Sequence, residues 1–431
     1  MRLNDWRLLA VLAMVLVVGG GIILVRRPSQ EYPEGEAQDV TTSTLEGTIR
    51  IGVVVSARSE MPVYELLIPL AQDDINEYCV ENGLNCSFGF EIASGEGMAS
   101  IALQRTQDFK ENGIDLVMGY GWSSHICVTI SYVKFNGMVQ LSPASTSPIC
   151  AEEDSTFRLC PHDSKQSVPL VRLIRSWSVS DVVILQRKDS WGDGVSEWFR
   201  ERFEEEGGRI AATITYSGEI TGESFAPILE EVNASLSNTI EERDPGNVAL
   251  LLLSYDEASQ ILNMSRDYQA MAEVSWFGSE ETVTTQLIME EAGSEAVAVG
   301  LFSPFPAVTR NELYERVNVA FEAGLGYKLG FYDANIYDCC WILALSVIEA
   351  GTDDGDVVRN VLPEVAADYS GMSGLCTLDA YGDRDSVDYT LWGYFEVEGA
   401  YQSLRCGIYS YESDDIKWDE SLISTPGGEE G

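Results

Sequence analysis

Residues 114–148 read IDLVMGYGWSSHICVTISYVKFNGMVQLSPASTSP, and this stretch decides the fold. Two short apolar runs, 114–118 and 138–141, have the composition of buried parallel strands, and the segment from Ser123 to about Phe135 predicts a crossover helix between them. Small hydroxyl residues end each strand: Ser123 and Ser124 after the first, Ser142, Ser145 and Thr146 after the second. That is the carboxyl edge at which open parallel sheets bind ligands. Ser123 and Ser124 also open the helix, where unpaired backbone N–H groups and the positive end of the helix dipole suit a carboxylate or other small anion. A serine N-cap and a polar turn are the ordinary structural alternatives for either cluster alone. Two clusters ending neighbouring strands point to one shared crevice.

Upstream, IRIGVVV and SFGFEIAS predict strands, with helices over 63–80 and 99–112, so strand and helix alternate from residue 48 onward. After Cys160 the alternation restarts, with strands DVVILQ, RIAATITY, VALLLLS and VSWFG separated by amphipathic helices. The last two of these run into Ser254 and Tyr255, and into Ser279 and Glu280. The predicted fold class is α/β: two doubly wound parallel-sheet lobes, residues 48–160 and 161–303, closing on a ligand. Residues 304–351 are expected to return to the first lobe and 352–409 to the second. The acidic, glycine-ended stretch 410–431 reads as a disordered tail.

Charge and the N-terminus bound the setting. A formal charge of −42, from 69 Asp plus Glu against 27 Lys plus Arg, argues against a nucleic-acid partner and reads as a solvated surface. Residues 8–25, LLAVLAMVLVVGGGIILV, form an uncharged apolar run flanked by Arg2, Arg7, Arg26 and Arg27. Its length and the missing A-x-A site predict an uncleaved membrane anchor, with residues 1–7 cytoplasmic and 28–47 a polar stalk. Cysteine spacing predicts local disulfides Cys79–Cys86 and Cys150–Cys160, and a third pair Cys376–Cys406, all suited to an oxidising exterior. Cys127, Cys339 and Cys340 are left as buried thiols, and three N-x-S sequons at Asn85, Asn233 and Asn263 are compatible with an exterior location.

The chain resembles the leucine/isoleucine/valine-binding protein family, extracellular solute receptors of branched-chain amino-acid-type ABC transporters, over roughly residues 48–409. The resemblance is carried by IRIGVVV, by G-Y-G-W-S-S and S-P-A-S-T-S-P at family-like separation, by W-G-D-G at Trp191, and by F-Y-D-A at Phe331. It implies the type I periplasmic-binding-protein fold, with three hinge crossovers, and an ABC transporter permease as partner. It further implies that Ser123 binds a ligand carboxylate, that Thr146 contacts both ends of an amino acid, and that the Ala144 carbonyl receives the ammonium. Glu280 is implied to pair with that ammonium, Trp191 and Tyr255 to line the pocket, and Tyr64 to add a wall. Independently of any family, a buried zwitterion needs donors for its carboxylate and an acid for its ammonium, since an unpartnered buried charge costs several kcal/mol.

The aromatic set, Trp122 included, leads to the expectation of an apolar ligand side chain. A larger residue at Trp122 and the loop SARSEMPV are departures from the family pattern. A sensing ectodomain of the same fold, acting through a membrane partner, is the alternative to transport. Catalysis is not expected: G-W-S-S-H places His125 where the nucleophile elbow G-x-S-x-G needs its last glycine. No H-E-x-x-H, Walker or C-x-x-C sequence is present, so no cofactor or metal is expected.

Overall fold

The computed structural model describes residues 45–151, 155–217, 225–283, 286–385 and 387–423. The expected membrane anchor, residues 8–25, and nearly all of the expected stalk, residues 28–47, lie outside them. The first sheet is built from β1 (Gly47–Val55), α1 (Met61–Glu81), β2 (Cys86–Ser94), α2 (Ala99–Glu111), β3 (Leu116–Gly119), α3 (Ser123–Phe135), β4 (Val139–Ser142) and β5 (Thr156–Arg158). Its strand order is β2-β1-β3-β4-β5, parallel throughout. Strand order reverses between β1 and β3, which makes a switch-point crevice at their carboxyl ends. Gly119 is needed there: its φ is +101°, and a Cβ would stand 2.3 Å from the Val54 carbonyl oxygen.

The second lobe repeats the same winding. It runs through α4 (Asp163–Ser176), β6 (Asp181–Arg187), α5 (Ser190–Glu205), β7 (Arg209–Tyr216), α6 (Ala226–Glu242), β8 (Val248–Leu253), α7 (Ala258–Ser265), α8 (Gln269–Glu273), β9 (Ser275–Gly278), α9 (Gln286–Glu291), α10 (Gly293–Ala298) and β10 (Phe302–Pro306). The parallel order β7-β6-β8-β9-β10 places a second switch point between β6 and β8. The chain then returns to the first lobe through α11 (Glu312–Leu325), α12 (Phe331–Ala350), α13 (Gly355–Asp368) and the small pair β11 (Ser370–Gly371) and β12 (Gly374–Leu375). It ends on the second sheet with antiparallel β13 (Tyr389–Val397), β14 (Ala400–Ser410) and β15 (Asp415–Trp418). The backbone thus passes between the lobes three times.

α12 is apolar almost all round and long enough to cross a membrane, yet 78% of its apolar window is packed inside the protein. It is the core helix of the first lobe, where each fully buried Leu or Ile contributes about 1.5–3 kcal/mol.

Three expectations for the path of the chain, and the expected cysteine pairing, are corrected by the structure. β10, including Pro304, extends the second sheet, so the return to the first lobe starts only beyond it. α13 packs on the first lobe, not the second, because Val358, Leu362 and Ala366 recur at helical spacing and the short turn after α12 keeps the two helices neighbours. Of the expected disordered tail 410–431, the described part to residue 423 instead forms β15, with Ile416, Trp418 and Ile423 packing on the second core, while 424–431 lie outside the described residues.

The disulfide is Cys127–Cys150, which joins α3 to the turn after β4, with Cα atoms 5.6 Å apart. Cys160 is a buried thiol whose Sγ lies 3.1 Å from the Ser145 carbonyl oxygen. Cys376 and Cys406 belong to different cores and cannot pair. Cys79 and Cys86 are free and side by side.

Candidate functional site

The turn after β4 is organised by hydrogen bonds rather than by apolar packing. Ser142 Oγ donates to the Tyr120 carbonyl at 3.1 Å and accepts from the Ser145 amide at 3.0 Å. Ser123, buried in the first turn of α3, accepts from Ser145 Oγ and from the Ser147 amide, both at 3.2 Å. The two hydroxyl clusters therefore meet. Behind the turn, Arg158 donates to the Ser145 and Ser147 carbonyls at 3.2 and 2.6 Å and forms a fully buried two-pronged ion pair with Asp383. Asn335, from α12, reaches the Pro143 carbonyl at 2.8 Å. These three residues hold the turn open-side out, and none is conspicuous in the sequence.

The second lobe faces this turn directly. Ser147 Oγ donates to the Ser190 carbonyl at 3.2 Å across the crevice. Gly194 in α5 comes so close that a Cβ there would meet Asp163 Oδ2 at 3.3 Å and Pro148 at 3.1 Å. Trp191 Nε1 donates to Glu280 Oε1 at 3.4 Å, and its ring lies 4.7 Å from that of Tyr255. Arg187 covers the Tyr255 ring at 4.6 Å and is itself committed to Asp189 and Glu257.

The structure thus brings Ser123, Ala144, Thr146, Glu280, Trp191 and Tyr255 to one crevice between the two switch points. Ser124, in contrast, is exposed. Tyr64 is packed in the first core, one turn beyond Glu60.

Two acids that the sequence reading did not single out belong to the crevice. Asp163 opens α4 and is fully buried, and neither carboxyl oxygen is in a close hydrogen bond, the Thr146 hydroxyl being near enough only to act on it at longer range. Its amide donates to the Thr146 carbonyl at 2.8 Å. Burial pushes the Asp163 carboxyl up to about 7, against the pull of the Thr146 hydroxyl and Arg158. Glu280 Oε2 is also buried, without a close hydrogen bond, and burial, then Glu281 and Asp163, drive its carboxyl well above the usual range. Glu60, in the turn after β1, stands 3.7 Å from where a Gly121 Cβ would lie, and the Ala144 methyl is 3.9 Å from that point. Burial pushes Glu60 up to about 7, partly offset by the Trp122 indole and the Ala57 and Ser56 backbone. An acid is inconspicuous in a chain with 69 of them; only the tertiary structure separates these from the solvated majority.

The aromatic residues are already engaged, Trp191 with Glu280 and Tyr255, and Tyr255 with Arg187. His125 is buried beside Trp122 with both ring nitrogens unpartnered, and burial pushes it down to about 4. At the hinge, His162, Asp379 and Asp383 lie close enough to share an ion, but Lys165 and Arg158 already neutralise the two carboxylates.

Residues 66–395 match the family described as the receptor family ligand binding region. The chain is 24% identical to an uncharacterized protein of Methanocaldococcus jannaschii over 408 residues, 88% of this chain and 95% of that one. It is 23% identical over 217 residues to metabotropic glutamate receptor 4 of Macaca fascicularis, 49% of this chain and 22% of the receptor. Among solved structures, a leucine-binding protein of Thermotoga maritima superposes with a TM-score of 0.69 at 15% identity, covering 85% of this chain and 99% of its own. The fold is therefore that of the type I periplasmic-binding proteins, as the sequence motifs implied.

Proposed function

This chain belongs to the family of receptor ligand-binding regions, and from that premise we propose that it is a membrane-anchored extracellular solute-binding protein that captures a small amino acid or amide-type ligand for an ABC transporter. One observation carries the reading: three buried carboxyl oxygens, two on Asp163 and one on Glu280, lack close hydrogen-bond partners beside a hydroxyl-lined turn and an open helix N-terminus. An unpartnered buried acid is costly unless a ligand completes it. An ammonium supplies donors to Asp163, Glu280 and the Ala144 carbonyl. A carboxylate accepts from the Ser123 and Thr146 hydroxyls and from the first N–H groups of α3. The leucine-binding protein of the same fold supports an amino-acid ligand. The anchor and transporter partner rest on residues 8–25 and on the resemblance of the strand-end motifs.

Binding is tested by thermal shift of the full-length chain with amino acids, amides, nucleosides and sugars. A true ligand at a hundred times its Kd stabilises by about 2.7 kcal/mol. Glu280→Gln is expected to weaken an amino acid at least ~10-fold while sparing its des-amino analogue, since about 1.4 kcal/mol separates each decade. Equal losses for both would take Glu280 out of the ammonium site, and stabilisation by sugars alone would overturn the reading. The similarity to a metabotropic glutamate receptor favours one second reading, a sensing ectodomain working through a membrane partner. Co-purification with a permease or with a signalling protein separates the two.

A further inference from the structure

We propose that Asn85 carries an N-linked glycan, with Asn85-Cys86-Ser87, at the entry to β2, as the acceptor sequence. The inference rests on the exterior location proposed above, since such glycans are added to surface segments carried outside the cell.

The chain offers three such sequences, at Asn85, Asn233 and Asn263, and their surroundings separate them. Asn233 lies within α6, and its Oδ1 accepts from the Ala270 amide at 3.0 Å. Asn263 lies within α7, and its Oδ1 accepts from Arg266 at 2.7 Å. Residues two apart on a helix do not face the same way, so neither amide is presented together with the hydroxyl two positions on, at Ser235 or Ser265. Ser265 is also buried and donates to the Leu262 carbonyl at 2.7 Å.

Asn85 differs on each count. It is exposed, in the turn that joins α1 to β2. Burial alternates from there as in extended chain: Asn85 faces solvent, Cys86 packs in the first core, and Ser87 is again partly exposed. The Asn85 amide and the Ser87 hydroxyl therefore share one side of the chain. Ser87 Oγ lies 3.0 Å from Thr48 Oγ1 on the exposed face of the β1–β2 pair. The Gly47 amide donates to the Asn85 carbonyl at 3.2 Å, which puts the site at the start of β1. The nine residues of β1 separate that end from the crevice, a span of about 30 Å. A glycan there shields the point where the chain enters the first lobe and stands clear of lobe closure.

In the transfer, the Asn85 amide nitrogen attacks C1 of a sugar carried on a lipid phosphate. The N–C1 bond forms, the bond from C1 to the phosphate oxygen breaks, the lipid phosphate leaves, and the amide proton passes to a base of the transferase.

The test is glycopeptide mapping by mass spectrometry of the full-length chain isolated from the cells that make it. Peptides containing Asn85 are expected to carry a sugar mass in most copies, with those containing Asn233 and Asn263 bare. Asn85→Gln and Ser87→Ala should each remove the modification and Ser87→Thr should keep it. Bare Asn85, or sugar on Asn233 or Asn263 in its place, would overturn the inference. Protease added to the same intact cells separates the two readings: lobes degraded with Asn85 bare sink the glycan alone, whereas lobes protected until lysis sink the exterior location with it.

Discussion

Asp163 shows what a residue can do that its sequence context conceals. It is an acid in the first turn of a helix, a position so favourable for carboxylates that nothing in the chain marks it as more than an ordinary helix start. Ser123, Thr146 and Glu280, in contrast, follow strands and were legible as carboxyl-edge residues, because strand ends can be read from apolar runs alone. The folded state raises the Asp163 pKa above its unfolded value, so the folded chain holds that proton more tightly. The stability this contributes is fully present below about pH 4, near the unfolded pKa, and is lost as pH rises through about 7. Asp163→Asn is neutral at every pH and keeps it. Thermal melts of ligand-free chain should therefore show the variant gaining on the wild type between pH 4 and 8, by on the order of 1–3 kcal/mol at the upper end. A pH-independent difference would mean that Asp163 is ionised in the empty crevice.

At the scale of elements, the alternating strands and helices were legible because period and burial coincide: β8 is six buried residues in succession. The return crossings were harder to place. α13 has a clear apolar stripe, but a stripe says that a helix packs and not which lobe receives it; the short turn after α12 decides that. Cysteine pairing failed for a related reason. Spacing along the chain favoured Cys150 with Cys160, whereas α3 carries Cys127 to the turn that holds Cys150. The same turn depends on Arg158 and Asp383, 225 residues apart in sequence. Asp383→Ala would leave the guanidinium buried without its counter-charge, at a cost of about 3–5 kcal/mol. Urea unfolding should show that loss, and native-state hydrogen exchange should show the Ser145 and Ser147 amides losing protection before those of β8. If the 145–147 amides exchange as in the wild type, the ion pair does not position the ligand turn.

For the whole molecule, two lobes with facing switch points explain why the crevice residues come from distant parts of the chain, and why the proposed ligand capture would need both lobes together. If residues 8–25 anchor the chain as proposed, its orientation across the membrane is a separate question, and charge does not answer it. Arg2 and Arg7 precede the apolar run and Arg26 and Arg27 follow it, so a bias toward positive residues inside has little asymmetry to act on. The Cys127–Cys150 disulfide favours the exterior, because thiols in the cytosol are kept reduced. Protease added to intact cells is accordingly expected to degrade everything beyond residue 48, and peptide mapping without reductant should recover Cys127 joined to Cys150. Lysed cells supply the comparison. If the lobes resist protease until lysis, or if both cysteines react as free thiols in freshly isolated protein, the ligand site faces the cytosol and capture of an extracellular solute is ruled out.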